Sequence, residues 1–332
     1  MESALRPVGI TGLGSWVPEE TVSNFDLMKM IDTTDEWIVT RTGISERRKA
    51  SEQEAASDLG VQAAQKALED AGLKAEELDL ILVATITPDM FFPATACLIQ
   101  HEIGAVNAAA FDLSAACSGF IYALAVGSQF VATGMYRNVL VVAAETLSKI
   151  VDWRDRNTCI LFGDGAGAVV LQPVEEGYGF LAFDLGSDGA GADLLKVPAG
   201  GSRKPATLET VRNNEHYITM NGNEVFKFAV KIMGETSLKS IRCAGLSPEA
   251  VDYFVPHQAN NRIIDAAAKR LNLSADKVYV NLDKYGNMSS ASVPVALDEA
   301  VRKGFIKKEH IVVLVGFGAG LTWGSCVLKW AK

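Results

Sequence analysis

The chain has 332 residues, 48% of them hydrophobic and 21% charged, with a formal charge of −9 and a pI near 5.1. That is enough material for one large core or two roughly equal ones, and the acidic balance argues against nucleic acid as a partner. No run reaches the ~18 apolar residues of a membrane helix, the start Met1-Glu2-Ser3-Ala4-Leu5-Arg6 has no basic-then-apolar secretion signal, and the five scattered cysteines include no CxxC pair, so a cytoplasmic protein with reduced thiols and neither zinc site nor disulfide framework is expected.

Strand-like and helix-like segments alternate along the chain, the pattern of an α/β fold. Residues 55–71 read as a helix, 78–86 (LDLILVATI) as an apolar strand and 108–112 as a short strand, with a tight connection at 113–116. Residues 118–133 follow, apolar nearly all round and therefore a buried helix. The runs 138–144, 251–255 and 311–315 are continuous enough to be strands covered on both faces. Phe162-Gly163-Asp164-Gly165-Ala166-Gly167 lacks the Lys-Ser/Thr ending of a phosphate loop and reads as a structural turn. Residues 186–210, rich in Gly, Ala and Pro, read as a long loop, and 321–330 as a closing strand.

The chain also resembles itself. Ala71-Gly72-Leu73 followed by Leu78-Asp79 matches Ala244-Gly245-Leu246 followed by Val251-Asp252 at an offset of 173, and 138–142 lines up with 310–314 at an offset of 172. A nearly constant offset favours duplication over chance likeness of short apolar runs, and places one half at 1–175 and the other at 176–332.

Four positions carry candidate chemistry. Cys117 stands where the buried helix begins, so the helix dipole and free backbone N–H groups favour its thiolate; a small buried Cys filling space is the competing reading. His101, His216 and His310 lie in polar settings, whereas His257 follows a strand at the carboxyl edge where ligands gather in α/β sheets. In Lys284-Tyr285-Gly286-Asn287-Met288-Ser289-Ser290 the glycine beside Asn287 permits close approach to a ligand, although an Asn-capped helix start reads equally well. Val315-Gly316-Phe317-Gly318-Ala319-Gly320 follows a strand but precedes another, so a dinucleotide loop is excluded. No GxSxG elbow and no HExxH metal motif occur.

Together Asp112-Leu113-Ser114-Ala115-Ala116-Cys117-Ser118-Gly119-Phe120, Val255-Pro256-His257-Gln258-Ala259-Asn260 and Tyr285-Gly286-Asn287 resemble the Cys, His and Asn motifs of β-ketoacyl-[acyl-carrier-protein] synthase III. Thr34-Asp35-Glu36-Trp37-Ile38, Arg41-Thr42-Gly43-Ile44 and Leu161 with the glycine run after it extend the match, in family order, over almost the whole chain. The resemblance implies a thiolase-like α/β fold, two αβα halves stacked into five αβαβα layers, and a homodimer. It implies decarboxylative condensation of a short acyl-CoA, acetyl-CoA foremost, with malonyl-acyl carrier protein. The products are 3-oxoacyl-acyl carrier protein, CoA and CO2, and the reaction starts type II fatty acid synthesis. The CoA thioester is a substrate, and neither cofactor nor metal is implied.

Residue by residue, the resemblance makes Cys117 the acyl-carrying nucleophile and assigns the oxyanion hole to the backbone N–H groups of Cys117 and Ala319, the latter standing where the family often has Gly. His257 and Asn287 become the donors to the extender thioester oxygen. Trp37 and Arg156 are implied to sandwich the CoA adenine, Arg41 to meet phosphate, Asn223 and Asn260 to hold the pantetheine arm, and Phe92 to limit the acyl pocket across the dimer interface. Lys227 with Lys231, and Arg262 with Lys269, are candidates for docking the acidic carrier protein. Arg154, where the family often has Thr, is read as pairing with Asp155. Gly316 to Gly320 holds no second Cys of the kind a thiolase uses as base, which favours decarboxylative condensation over thiolysis. The rivals are a condensing enzyme of specialised polyketide metabolism with the same Cys–His–Asn set, a Cys–His–Asn hydrolase, and a non-catalytic partner subunit.

Overall fold

The computed structural model describes residues 5–332; the reading of Met1 to Ala4 lies outside them. The first half runs β1 (Val8–Trp16), α1 (Ala56–Ala71), β2 (Leu80–Ala84), α2 (Thr95–Glu102), β3 (Ala109–Leu113), α3 (Gly119–Ala132), β4 (Val139–Thr146) and β5 (Asp164–Pro173). The second runs β6 (Gly179–Ser187), α4 (Gly222–Cys243), β7 (Tyr253–Pro256), α5 (Asn261–Arg270), α6 (Ser292–Arg302), β8 (Ile311–Gly318) and β9 (Thr322–Lys329). The sheets have the orders β1-β5-β4-β2-β3 and β7-β8-β9-β6. Read from β1 and from β6 they follow one topology, with β2 parallel to β4 as β7 is to β8, and the last two strands of each half antiparallel. Where the first half has β3, the second has only an isolated bridge between Phe254 and Val278.

Two buried faces per sheet explain the apolar strands. In β4, Val139, Val141 and Ala143 point into a central core, and Leu140, Val142 and Ala144 point the other way, the period of two that a strand imposes. The central core holds Phe120 and Leu124 of α3 and Val293 and Leu297 of α6, pressed between Val141 of one sheet and Leu314 of the other. Outside the first sheet, Leu59, Ala63 and Ala67 of α1 pack on Ile81 and Val83. Outside the second, Met233 of α4 and Ile263 of α5 pack on Val313 and Val327. The result is five layers, helix–sheet–helix–sheet–helix.

Local chemistry sets the element ends. The Asp58 carboxylate accepts from the Ala55 N–H at 2.7 Å where α1 begins, and Gly72, at φ 62°, closes it in the left-handed region. Two sequence expectations are corrected. The glycines of 162–167 do not form a turn: Asp164 opens β5, because the small residues let α6 lie on the strand, with a Cβ on Gly167 falling 2.7 Å from Pro294. The loop read over 186–210 contains a 3-10 segment, Gly189–Leu194, and a short strand, Leu195–Lys196, paired with Thr219–Met220. That pairing is long-range and leaves no local periodicity.

Helix α1 sits so close to β1 that a Cβ on Gly14 would fall 2.3 Å from the Ala63 carbonyl oxygen. Gly14→Ala is therefore expected to destabilise the protein by about 1–3 kcal/mol through overpacking. The check is a lower urea midpoint with an unchanged slope.

Candidate functional site

Cys117 lies in a single 3-10 turn, Ala116–Ser118, between the end of β3 and the start of α3. Ala116 takes φ 47°, a left-handed backbone that an L side chain adopts only when its surroundings force it. The force is visible. Thr322 at the start of β9 donates to the Ala115 carbonyl at 3.0 Å, and Ser118 donates to the same oxygen at 2.7 Å. Strand β8 also passes so near that a Cβ on Gly318 would fall 2.5 Å from the Cys117 nitrogen, and one on Gly316 2.9 Å from its carbonyl oxygen. The glycines thus let the second half touch the backbone of the Cys117 turn, and they bring Ala319 to the same place.

His257 follows β7, its N–H donating to the Val315 carbonyl at 2.7 Å and its ring meeting Phe317 edge-on at 5.5 Å. Asn287 is fixed by a segment far away in sequence: its N–H donates to the Leu161 carbonyl at 2.8 Å, and its own carbonyl accepts from Gly163 at 3.0 Å. Its Oδ1 accepts from the Ser289 N–H at 2.8 Å, so the side-chain amide orientation is set and the NH2 end is left for the cavity.

These three side chains line one cavity of about 100 Å³, with Phe226, Asn260 and Phe317. Cys117 is also a wall of a second, more apolar chamber of about 250 Å³ lined by Ile86, Leu147, Ile150, Ile218 and Ala319. The thiol therefore stands between an approach from outside and an apolar recess. Burial pushes the Cys117 thiol up to about 12, with the nearby Glu145 carboxylate adding to the rise and the Ser289 hydroxyl and the Cys117 N–H opposing it. The sequence argument favours a thiolate at a helix mouth, and burial of the sulfur acts against that charge. Burial also pulls His257 from 6.5 down to about 3, so its ring is neutral.

The other candidates group less tightly. On the helix Asp35–Thr42, Arg41 and on Asp155-capped Arg156–Cys159, Arg156 place their guanidinium carbons 4.7 and 4.8 Å from the Trp37 ring centroid. Arg156 thus rests on the indole itself, and an adenine between them requires the guanidinium to swing aside. Asn260 joins this cluster to the cavity, its Nδ2 donating to the Arg41 carbonyl at 2.8 Å. Asn223 is exposed near the start of α4 and lines neither chamber; Phe92, 85% exposed before α2, does not either. Lys227 is paired with Glu224 at 2.7 Å, Arg262 covers the Phe226 ring at 5.0 Å, and Lys269 lies in the last turn of α5. Arg154 pairs with Asp152 and not Asp155, through Nε at 2.9 Å and Nη2 at 3.1 Å, since Asp155 is occupied in capping the next helix.

Two residues of the site escape sequence reasoning. Glu145, fully buried at the end of β4, accepts from Thr85 at 3.3 Å, Ile86 N–H at 3.1 Å, Thr87 at 2.8 Å and Ser290 at 2.7 Å. Ser289, buried at φ 46°, faces Cys117. The available signal is a lone acid closing an otherwise apolar strand run.

Comparison with known proteins identifies the family. A family model described as 3-oxoacyl-[acyl-carrier-protein (ACP)] synthase III matches residues 111–189, and its C-terminal counterpart matches 241–330. The chain is 63% identical over 324 residues to a β-ketoacyl-[acyl-carrier-protein] synthase III of Caldanaerobacter subterraneus subsp. tengcongensis, covering 98% of each. It superposes on the 3-oxoacyl-[acyl-carrier-protein] synthase III of Aquifex aeolicus with a TM-score of 0.91 at 47% identity, covering 97% of this chain and all of that one. It also superposes on the priming β-ketosynthase of the R1128 polyketide biosynthetic pathway, with a TM-score of 0.92 at 38% identity, covering 100% and 98%.

The buried neutral imidazole has a pH signature. Below 6.5 the unfolded chain takes up a proton that folded His257 refuses until about 3, so its contribution is present above 6.5 and lost as pH falls. From about pH 7 to about pH 5 the wild type should lose about 2 kcal/mol relative to His257→Gln. Urea unfolding of both proteins at the two pH values measures the difference.

Proposed function

The chain belongs to the β-ketoacyl-[acyl-carrier-protein] synthase III family, an acyltransferase family that performs the initiating condensation of fatty acid synthesis, and we propose that Cys117, His257 and Asn287 are the residues that carry the reaction in this protein. One observation supports the assignment above the others. A single cavity touches all three, although they come from three distant segments and from both halves of the fold.

In the first step Cys117 sulfur attacks the carbonyl of a short acyl-CoA, with acetyl-CoA the foremost candidate. The backbone N–H groups of Cys117 and Ala319 receive the oxyanion, and preorganised donors of this kind are worth about 3–4 kcal/mol each. CoA leaves and the acyl group points into the apolar chamber. Malonyl-acyl carrier protein then enters, and loss of CO2 leaves enolate charge on its thioester oxygen. His257 and the Asn287 NH2 donate to that oxygen. A neutral imidazole suits this role, because it donates a hydrogen bond without adding a charge to a dry pocket. The enolate carbon attacks acyl-Cys117, and 3-oxoacyl-acyl carrier protein departs. The cycle uses no resident cofactor or metal, since CoA arrives and leaves with the substrate.

Trp37, Arg41 and Arg156 form the outer CoA site, with the indole and planar guanidinium groups suited to adenine and phosphate. Asn260 and Asn223 serve the pantetheine arm. Lys227, Arg262 and Lys269, on the neighbouring helices α4 and α5, dock the acidic carrier protein. A homodimer pairs two copies along the edge strand β3, where Phe111 is 39% exposed, with Phe91 and Phe92 exposed in the segment before α2. That pairing brings Phe92 of one copy to the acyl chamber of the other as its size limit. We divide the chain into halves at 175/176 and assign it to the cytoplasm, and no helix among the described residues is long and apolar enough to cross a membrane. The likeness to the R1128 priming β-ketosynthase favours a specialised polyketide role as the second reading. Poor turnover with malonyl-acyl carrier protein beside good turnover of another acceptor would select it.

Two experiments test the roles. Labelled acetyl-CoA should mark Cys117 by mass spectrometry, and Asn287→Ala should keep that label while malonyl decarboxylation falls about 10²–10³-fold; the opposite split would overturn the assignment. Charge reversal at Lys227, Arg262 and Lys269 together should raise KM for malonyl-acyl carrier protein several-fold and leave KM for acyl-CoA unchanged.

A further inference from the structure

Arg47 is fully buried, and its guanidinium meets only neutral acceptors. Nη1 donates to the Val22 carbonyl at 3.1 Å and to Asn24 Oδ1 at 2.9 Å, and Nη2 to the Ile160 carbonyl at 2.7 Å. Nε, buried as well, has no acceptor among the described residues. Burial pulls the group from 12.5 down to about 10, so it stays charged at neutral pH. A buried cation without an anion is destabilising in itself, and an apolar side chain of similar volume often does as well or better for stability. The reason for the charge lies in what its acceptors carry.

Asn24 leads outward to the CoA site. Its side chain is buried, and Arg47 fixes which end is the oxygen. The Nδ2 end then donates to Asp35 Oδ1 at 2.9 Å and to the Ile44 carbonyl at 2.8 Å. Asp35 opens the helix that carries Trp37 and Arg41, and Ile44 stands just beyond Gly43, which closes it. One amide thus grips that helix at both ends.

Ile160 leads inward. It follows the short helix Arg156–Cys159, whose first residue is the other wall of the CoA site. The next carbonyl, that of Leu161, accepts from the Asn287 N–H at 2.8 Å. The stem of Arg47 lies under the same crossing: a Cβ on Gly163 would fall 3.1 Å from Arg47 Cβ, and one on Gly286 3.2 Å. Those glycines flank the bridge between Phe162 and Asn287.

We propose that Arg47 is a positioning residue that sets the outer CoA site and the Asn287 loop in register, through Asn24 on one side and Ile160 on the other. It lines neither chamber. The inference rests on the roles assigned above to Trp37, Arg41, Arg156 and Asn287. A planar fork suits the task, because its two terminal nitrogens hold acceptors on separate segments at fixed angles, whereas a lysine ammonium is a single point. Misplacement by about 1 Å from a change away from the chemistry can slow a reaction about 100-fold.

The two arms give separable defects, because a carrier-protein thioester brings no adenosine to Trp37. The test compares Asn24→Ala and Arg47→Lys with the full-length wild type, each rate being taken per folded molecule from the near-ultraviolet circular dichroism signal. Asn24→Ala cuts the outer arm. It should raise KM for acetyl-CoA about tenfold, and leave within about twofold both KM for acetyl-pantetheine, which lacks adenosine, and the rate of malonyl decarboxylation. Arg47→Lys loosens both arms, so KM for acetyl-CoA should rise and kcat for malonyl decarboxylation should fall, each about tenfold. A structural role alone would lower the urea midpoints and leave these constants as in the wild type, and that result overturns the proposal. So does an Asn24→Ala whose KM rises equally for acetyl-CoA and acetyl-pantetheine, or an Arg47→Lys with only one of its two defects. Should either variant fail to fold, Asp35→Ala decides, since it cuts the link from Asn24 at a half-buried position. KM for acetyl-CoA should then rise about threefold with acetyl-pantetheine unchanged, and equal changes overturn the proposal. Trp37→Ala is scored separately: an unchanged KM for acetyl-CoA refutes the CoA-site reading, and a raised one beside unaltered constants in the other variants refutes only the positioning role.

Discussion

The contact on which the site depends is the approach of β8 to the turn that holds Cys117. Two glycine positions, Gly316 and Gly318, let a strand of the second half lie against the backbone of a residue from the first, with no room for a Cβ between them. This close approach locks Ala116 in its left-handed conformation, aims the sulfur at a cavity and brings Ala319 beside it. Neither half holds the constellation alone. The first supplies the thiol and the buried carboxylate, the second the imidazole and the carboxamide, and the central helices α3 and α6 hold the two at fixed separation.

Dryness is the second governing property. A buried thiol, a neutral imidazole and a carboxyl with raised proton affinity are all consequences of removing water from one region. The same removal makes hydrogen bonds from backbone N–H groups and from Asn287 effective, because no bulk solvent competes for the developing charge. On the roles proposed for Cys117, it also protects an acyl thioester from hydrolysis while the second substrate arrives. The arrangement suits a two-step transfer better than a hydrolase, which must bring water to that carbon.

Much of the fold was legible because strands covered on both faces leave uninterrupted apolar runs, and because the two halves repeat at a nearly fixed spacing. The grouping of Cys117, His257 and Asn287 was legible through the resemblance of their three motifs to one family, because local sequence left each with a competing structural reading. What escaped is set by long-range contact. The pairing of Phe162 with Asn287 joins residues far apart in the chain, so its glycines looked like a turn. The burial of Cys117 depends on how much water the folded protein removes, which local sequence does not encode, and it opposes the charge that the helix-mouth argument favours. Glu145 looked like the polar end of a strand because its four donors come from segments that meet only in three dimensions.

Ala116 and Ser289 adopt backbone angles that glycine would hold without strain. At these two places heat tolerance and chemical competence pull apart. A selection scheme rewarding only survival at high temperature would favour glycine, relieving local tension, and would also free the turn beside the sulfur and delete the hydroxyl it faces. Resistance to that drift has to come from turnover itself, which makes the pair a sensor of whether a stabilised descendant has been bred for endurance or for work.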